Sequence, residues 1–410
     1  MPLLDLFGPP DVEKHTAEGN VRGLVKATRY RHDWVLRRDA LQALYEIATQ
    51  TPDEPDEDII EALIRMLRDG HWKIREMAAE ALGEIGNDEA VMRLLPTTID
   101  EYVSVRRTAV IALKRLLTRE EAGPPPDKAV ATLIRALRDR AWWVREAAAE
   151  TIELLGDRIE NPELMKWAAD SLHAAVETDD YRIVRQAAID AMIALGAPPT
   201  IDSLTTALRD DAWSVRRSSA QALDALGWEP TEEDQIYYWI AKEQSERCVS
   251  LGQEAIEPLV SLLHDQYLPV QEDAMHALAE IGPPAVEALL EKLQHRDYWT
   301  KAAAIETLGM IAEQHDSGAV PVAPLIESLE DRSKTVRRAS ARTLGIIADK
   351  QALEALLLLL NDHKASVRQA AAEALGKMGD RTAVQALMHM GRRDPDKAVR
   401  RAAHEALTDL

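Results

Sequence analysis

A short motif recurs along the whole chain and limits what the chain can fold into. Each copy has an apolar residue, a basic or amide residue (usually arginine) and an alanine-rich stretch, as in IREMAAEALGEIG from Ile74 and VRQAAAEALGKMG from Val367. The arginine position aligns at Arg37, Arg75, Arg106, Arg145, Arg185, Arg216, Gln271, Lys301, Arg337, Arg368 and Arg400. Spacings of 30 to 32 residues recur. A fixed period of this length indicates stacked structural repeats rather than several unrelated domains.

Each copy of the motif predicts a helical hairpin. Apolar residues stand at −1, +3, +6, +7 and +10 from the arginine, which is the spacing of one buried helical face. Glycine commonly follows and ends the helix, and a second helical segment comes next, such as the one from Ala129. Ala, Leu, Glu and Arg dominate and Phe occurs once, a composition that favours helices over strands. The predicted fold is therefore all-α, a right-handed α-α solenoid (superhelix) of about eleven helical hairpins.

An aspartate stands six residues before the arginine in nine of the copies. Such an aspartate can cap the second helix, or pair with the arginine of its own or a neighbouring repeat, so that the pairs form a ladder. Its predicted members include Asp69, Arg75, Asp139, Arg145, Asp210, Arg216, Asp331, Arg337, Asp362 and Arg368. The D-x5-R signature followed by A-x2-AL-x2-(I/L)G resembles the HEAT repeat, in the short form typical of phycobilisome-lyase-type proteins. We interpret these aspartates and arginines as structural.

One irregular stretch interrupts the repeats. We predict about six N-terminal HEAT-like repeats in residues 1–227, an inserted irregular helical segment in 228–252, and about five C-terminal repeats in 253–410. Within the insert, Pro230 and Thr231 followed by acidic residues predict a helix start, and Ile236, Trp239 and Ile240 predict one buried face.

The position five residues after the arginine forms an acidic stripe. In HEAT solenoids the second helix of each hairpin lines the concave side, so this stripe is expected on that face. Its candidate partner-binding residues are Glu80, Glu150, Asp190, His276, Glu306 and Glu373. Two interpretations are equally favoured: a groove for a basic peptide, and a solvated acidic face.

Aromatic residues recur in the turn between the two helices of a repeat. Trp34, Trp72, Trp142 and Trp213 all stand three residues before the arginine, and Trp299 stands two before Lys301. The rings are expected to line one edge of the solenoid. Packing over the neighbouring turn is the favoured interpretation, and a recognition ridge is the alternative, because exposed tryptophans are typical interface anchors. With Trp239 of the insert, these residues are the aromatic candidates for partner binding.

The sequence contains no recognisable catalytic, cofactor or metal motif. The eleven histidines are scattered, and no HExxH sequence, Cys/His cluster, phosphate-binding loop or G-x-S-x-G elbow is present. We therefore predict no catalytic, cofactor-binding or metal-binding residue and no cofactor. A formal charge of −21 disfavours nucleic acid as a partner. The single cysteine, Cys248, and the absence of a long apolar run predict a cytoplasmic protein that does not enter the membrane.

These features predict, as the leading hypothesis, a non-enzymatic interaction scaffold. Its partner would be a protein or peptide of basic character, bound by the acidic concave face, the aromatic turn edge or both. The resemblance implies an alternative, a bilin or other tetrapyrrole protein of the lyase type, or another HEAT protein that handles a small molecule. A third hypothesis is a structural module that assembles with copies of itself.

Overall fold

The computed structural model describes residues 9–50, 56–196, 201–232 and 234–410, and in these ranges it contains helices and no strand. The helices up to residue 207 are α1 (Val12–Ala17), α2 (Val21–Ala27), α3 (Trp34–Ala48), α4 (Glu57–Met66), α5 (Trp72–Ile85), α6 (Asp88–Leu94), α7 (Val103–Leu117), α8 (Asp127–Ala136), α9 (Trp142–Leu155), α10 (Pro162–Thr178), α11 (Arg182–Ala194) and α12 (Ile201–Ala207). The later helices are α13 (Trp213–Ala225), α14 (Gln235–Ala241), α15 (Glu246–Val249), α16 (Gln253–Ser261), α17 (Leu268–Ile281), α18 (Val286–Lys292), α19 (Tyr298–Gln314), α20 (Val322–Glu327), α21 (Lys334–Ile347), α22 (Leu353–Leu359), α23 (Ala365–Met378), α24 (Val384–Arg393) and α25 (Lys397–Asp409).

The chain forms two compact units. The first contains the described residues of Met1–Ala207 and Ser218–Glu229, and the second contains those of Leu208–Arg217 and Pro230–Leu410. The chain passes from one unit to the other after Ala207, inside α13 between Arg217 and Ser218, and after Glu229, which is the second residue of the insert.

Ten pairs of described helices form hairpins, each with a first helix and a second helix that begins near the motif arginine. The pairs run from α2 with α3 to α10 with α11, and from α16 with α17 to α24 with α25. Within a unit, consecutive second helices pack side by side, as α5 packs on α7 and α21 packs on α23. The prediction of an all-α repeat fold built from hairpins is confirmed.

Alanine on the buried face of each second helix allows this close packing. In α5, Ala78 and Ala79 are completely buried together with Leu82. Small side chains let two helix backbones approach, and the leucines fill the space between the first and second helices. The core of each unit is therefore a continuous layer between the two rows of helices.

The insert is a short helical segment packed onto the second unit. Ile236 and Ile240 of α14 and Cys248 of α15 are buried, and Trp239 is partly buried against the same core. Burial is the main cause that raises the pKa of the Cys248 thiol to about 12, so this sulfur is a protonated core group.

Among the described residues, no helix combines the length and the apolar character needed to span a membrane.

Candidate functional site

The motif arginine of one repeat binds the aspartate of the next repeat. Arg75 donates from Nε to Asp100 Oδ2 at 2.6 Å and from Nη2 to Asp100 Oδ1 at 2.8 Å. Its third nitrogen, Nη1, donates to the backbone oxygen of Asp69 in its own repeat at 2.9 Å. Each such arginine therefore ties its own turn to the turn of its neighbour.

The same arrangement recurs along both units. It joins Arg37 to Asp69, Arg106 to Asp139, Arg145 to Asp179, Arg216 to Asp265, Lys301 to Asp331, Arg337 to Asp362 and Arg368 to Asp394. The aspartate also caps its turn, since Asp210 Oδ1 accepts from the backbone nitrogen of Ala212 at 2.8 Å. We call these residues the Asp–Arg ladder.

The turn aromatics stack in pairs, and the two rings of a pair occupy different motif positions in successive repeats. A ring three residues before one arginine stacks on a ring four residues before the next. Trp34 lies 3.9 Å from His71, Trp72 lies 5.6 Å from Tyr102, Trp142 lies 5.6 Å from Tyr181 and Trp213 lies 4.2 Å from Tyr267, all between ring centroids. The rings thus pack over the neighbouring turn, and they also keep one part in solvent, as Tyr102 is 44% exposed.

Cationic side chains lie over several of these rings. The guanidinium carbon of Arg75 is 5.7 Å from the Tyr102 ring centroid, and Lys73 Nζ is 5.6 Å from that of Trp72. Trp299 differs from the other turn aromatics, because its side chain is 59% exposed. Among the described residues, the one aromatic ring that it contacts is that of Tyr298 in the same helix. The turn edge is therefore a mixed aromatic and cationic surface.

The acidic stripe is partly neutralised by the adjacent helices. Glu150 forms a salt bridge with Lys114, whose Nζ lies 2.9 Å from its carboxylate. The positive charges of Arg338 and Arg342 attract the carboxylate of Glu306. Glu373 accepts a hydrogen bond from the side chain of Gln369 at 2.8 Å within its own helix.

Three further residues of the stripe differ in burial. Glu80 and His276 are exposed, whereas Asp190 is half-buried and accepts a hydrogen bond from Ser218. Burial raises the pKa of Asp190, and the hydrogen bond from Ser218 opposes that rise without cancelling it.

We expect Asp190→Asn to stabilise the protein at neutral pH and not at low pH. A carboxyl group whose pKa is raised in the folded state lowers the stability of the protein as the pH rises through that pKa. Asparagine carries no charge, and its amide oxygen can still accept the hydrogen bond from Ser218. Urea unfolding at pH 7.5 and at about pH 3.5 measures the difference. Glu80→Gln in the exposed part of the stripe is the matched control, and an equal response of both variants would contradict the assignment.

A groove of about 980 Å³ lies between the first helices of two successive repeats, α4 and α6. Pro96 follows α6 almost directly, so the chain continues there as a 3-10 turn instead of a longer α-helix. Ile64, Leu67 and Pro96 line the groove together with Arg65 and Arg68. Sequence analysis missed this groove.

One end of the groove is the Asp–Arg ladder itself. Arg75 and Asp100 line it, and the backbone nitrogen of Tyr102 donates to Asp100 Oδ1 at 2.9 Å. The Tyr102 ring of the Trp72–Tyr102 stack lies 5.7 Å from the guanidinium carbon of Arg75, so the stack is adjacent to this end of the groove without lining it. This place combines a cavity, cationic groups and aromatic rings within one unit.

Repeated helical hairpins joined by this ladder define the class of helical repeat proteins. Comparison with known protein families gives the same class. A family model described as HEAT repeats matches residues 21–114, 152–224, 256–321 and 322–408, which is most of the chain. The chain belongs to the HEAT-repeat family, as predicted.

Its curated relatives are more specific. The chain is 31% identical over 188 residues to phycocyanobilin lyase subunit alpha of Nostoc sp. (strain PCC 7120), over 45% of this chain and 63% of that protein. It is 26% identical over 191 residues to the subunit of the same name from Picosynechococcus sp., over 44% of this chain and 57% of that protein. The chain thus spans less than two thirds of the length of these relatives.

A solved structure of a phycocyanin lyase is also similar in sequence to this chain. The complex of CpcE and CpcF of phycocyanin lyase from Nostoc sp. PCC7120 contains a chain 30% identical to this one, with a TM-score of 0.34, covering 37% of this chain and 98% of that chain.

The curated relatives correct the leading functional hypothesis. A non-enzymatic scaffold was expected because the sequence contains no catalytic motif, yet both relatives are subunits of a lyase. The expectation of a scaffold is wrong, and the findings favour the lyase-type alternative. The physical reason is that a repeat surface can bind a reactive ligand without any short sequence motif.

Proposed function

We propose that this protein is a lyase-type subunit that binds phycocyanobilin or a similar open-chain tetrapyrrole. The observation that carries the proposal is the 31% identity over 188 residues to phycocyanobilin lyase subunit alpha. The described structure offers a surface suited to such a ligand, since it has a groove, aromatic rings and cationic groups in one place.

The relatives are named as alpha subunits, so the proposal includes a protein partner. The formal charge of −21 and the exposed Glu80 favour a partner with a basic contact surface.

We expect the purified protein to bind phycocyanobilin with a saturable change in the pigment's absorption and fluorescence. A bound tetrapyrrole is held in a narrower set of conformations than the free pigment, and this alters its visible spectrum. Titration at constant pigment concentration measures the change. A spectrum that stays that of free pigment at all protein concentrations would refute the proposed function.

A further inference from the structure

We infer, on the basis of the proposed function, that the groove between α4 and α6 is the tetrapyrrole site and that Arg65 and Arg68 bind the pigment's two propionate carboxylates. Phycocyanobilin is a chain of four pyrrole-type rings with two propionic acid side chains. A site for it needs room for a conjugated, largely apolar body and two cationic groups close together.

The groove has suitable size and apolar surface. Its volume of about 980 Å³ is at the upper end of the roughly 300–1,000 Å³ that ligand sites occupy. Ile64, Leu67 and Pro96 supply apolar contacts, and the partly exposed ring of Tyr102 lies 5.7 Å from the guanidinium carbon of the lining residue Arg75. A flat conjugated molecule can pack against these groups without displacing a core residue.

Most carboxylates that line the groove already have a cationic partner. These pairs are Asp69 with Arg37 at 2.7 Å, Asp100 with Arg75 at 2.6 Å and Glu89 with Arg93 at 2.9 Å. Glu101 also lies 3.5 Å from Arg75. Three arginines outside the proposed pair, Arg37, Arg75 and Arg93, therefore offset the charge of three of the five carboxylates that line the groove.

Arg65 and Arg68 are different, because neither has a carboxylate within salt-bridge distance among the described residues, although Glu61 attracts Arg65 from one turn away. Arg65 lies in the last turn of α4 and Arg68 in the turn after that helix, and both side chains are exposed. Arginine binds carboxylate through two parallel N–H donors, so two arginines three residues apart match a ligand with two carboxylates.

Like-charge repulsion adds to this argument. Partial burial and the neighbouring charge of Arg29 lower the pKa of Arg65, and Glu61 opposes this effect. A bound carboxylate would offset the repulsion between the guanidinium groups of Arg65 and Arg29. The positive charge of Arg29 thus adds to the attraction of Arg65 for an anionic ligand.

The test compares phycocyanobilin binding by the wild-type protein with binding by the double variant Arg65→Gln/Arg68→Gln. We expect the double variant to bind at least about tenfold more weakly, because it lacks the charge-assisted hydrogen bonds. Arg135→Gln/Arg138→Gln is the matched control, since these arginines occupy the same motif positions in α8 and in the turn after it, lie outside the groove and make the same change in net charge. The control is expected to bind as the wild type does.

Phycocyanobilin dimethyl ester separates charge from shape. The wild-type protein is expected to bind the ester at least about tenfold more weakly than the free acid, and the double variant is expected not to distinguish the two. Circular dichroism and thermal unfolding verify that the exposed substitutions leave the fold intact.

The outcomes separate the two proposals. If wild-type protein binds the pigment and the double variant binds it equally well, the groove assignment is overturned and the proposed function stands. Equal binding of acid and ester by the wild-type protein would also overturn the role of the two arginines. If the wild-type protein binds no pigment, the proposed function itself fails.

Discussion

Replacing Asp362 by alanine is expected to lower the free energy of unfolding by about 3–5 kcal/mol, because it leaves a buried guanidinium without its carboxylate. Arg337 is 6% exposed and donates to Asp362 from Nε at 2.7 Å and from Nη2 at 3.0 Å. Turning the arginine out into water would break its remaining hydrogen bonds to the backbone oxygens of Asp331 and Arg332. Urea unfolding followed by circular dichroism measures the loss.

Two further variants make this prediction specific. Glu405→Ala breaks the ion pair between Arg401 and Glu405, which is exposed at the surface of α25, and is expected to leave the unfolding midpoint unchanged. The double variant Arg337→Met/Asp362→Leu removes both charges and is expected to recover most of the loss. An equally small effect of Asp362→Ala and Glu405→Ala would show that the ladder does not stabilise the fold.

The ladder also predicts the sign of a pH effect. Although burial opposes it, hydrogen bonds from Arg337 and the backbone keep the pKa of Asp362 below its ordinary value. Its stabilising contribution is therefore complete above the pKa of an unfolded aspartate, and it is lost as the pH falls through the lower folded pKa. The stability difference between wild type and Asp362→Ala should accordingly shrink below about pH 4.

The repeat pattern was enough to predict the hairpins because helical periodicity is a local property of the chain. The apolar positions around Arg75 and Arg337 define one buried face each, and no distant contact is needed to see it. The turn residue is equally predictable from the sequence, because an aspartate recurs six residues before the motif arginine, as at Asp69 and Asp362. The pattern left open the partner of each arginine, which depends on the offset between neighbouring repeats.

The spatial offset between neighbouring repeats also explains why one ion pair and the groove could not be predicted from the sequence. The acidic stripe was derived one helix at a time, so the pairing of Glu150 with Lys114 of the preceding second helix was invisible. The groove was equally hidden, because LIRMLRD around Arg65 and LIRALRD around Arg135 carry the same motif. The two places differ in their spatial neighbours. Pro96 shortens the helix beside α4, whereas the ring centroid of Trp167 lies 5.6 Å from the guanidinium carbon of Arg135.

Replacing Gly345 by alanine is expected to lower the free energy of unfolding by about 1–3 kcal/mol, the usual range for overpacking a helix interface. Gly345 of α21 faces α23 so closely that an added Cβ would lie 2.6 Å from the α-carbon and 2.8 Å from the β-carbon of Ala374. A backbone atom cannot turn aside as a side chain can, so the two helices must separate. Thermal and urea unfolding of the variant measure the cost.

Gly70→Ala is the matched control for this substitution. A Cβ at Gly70 would meet no atom within 4 Å, and its backbone does not have a positive φ. There the same change is expected to be neutral or to stabilise by about 0.4–1 kcal/mol, because alanine restricts the unfolded chain. Ala374→Gly combined with Gly345→Ala removes the clash with the methyl group of Ala374 and leaves the clash with its backbone, so only partial recovery is expected. Full stability of Gly345→Ala alone would mean that the second helices of the C-terminal repeats are not held at the spacing that the glycine defines.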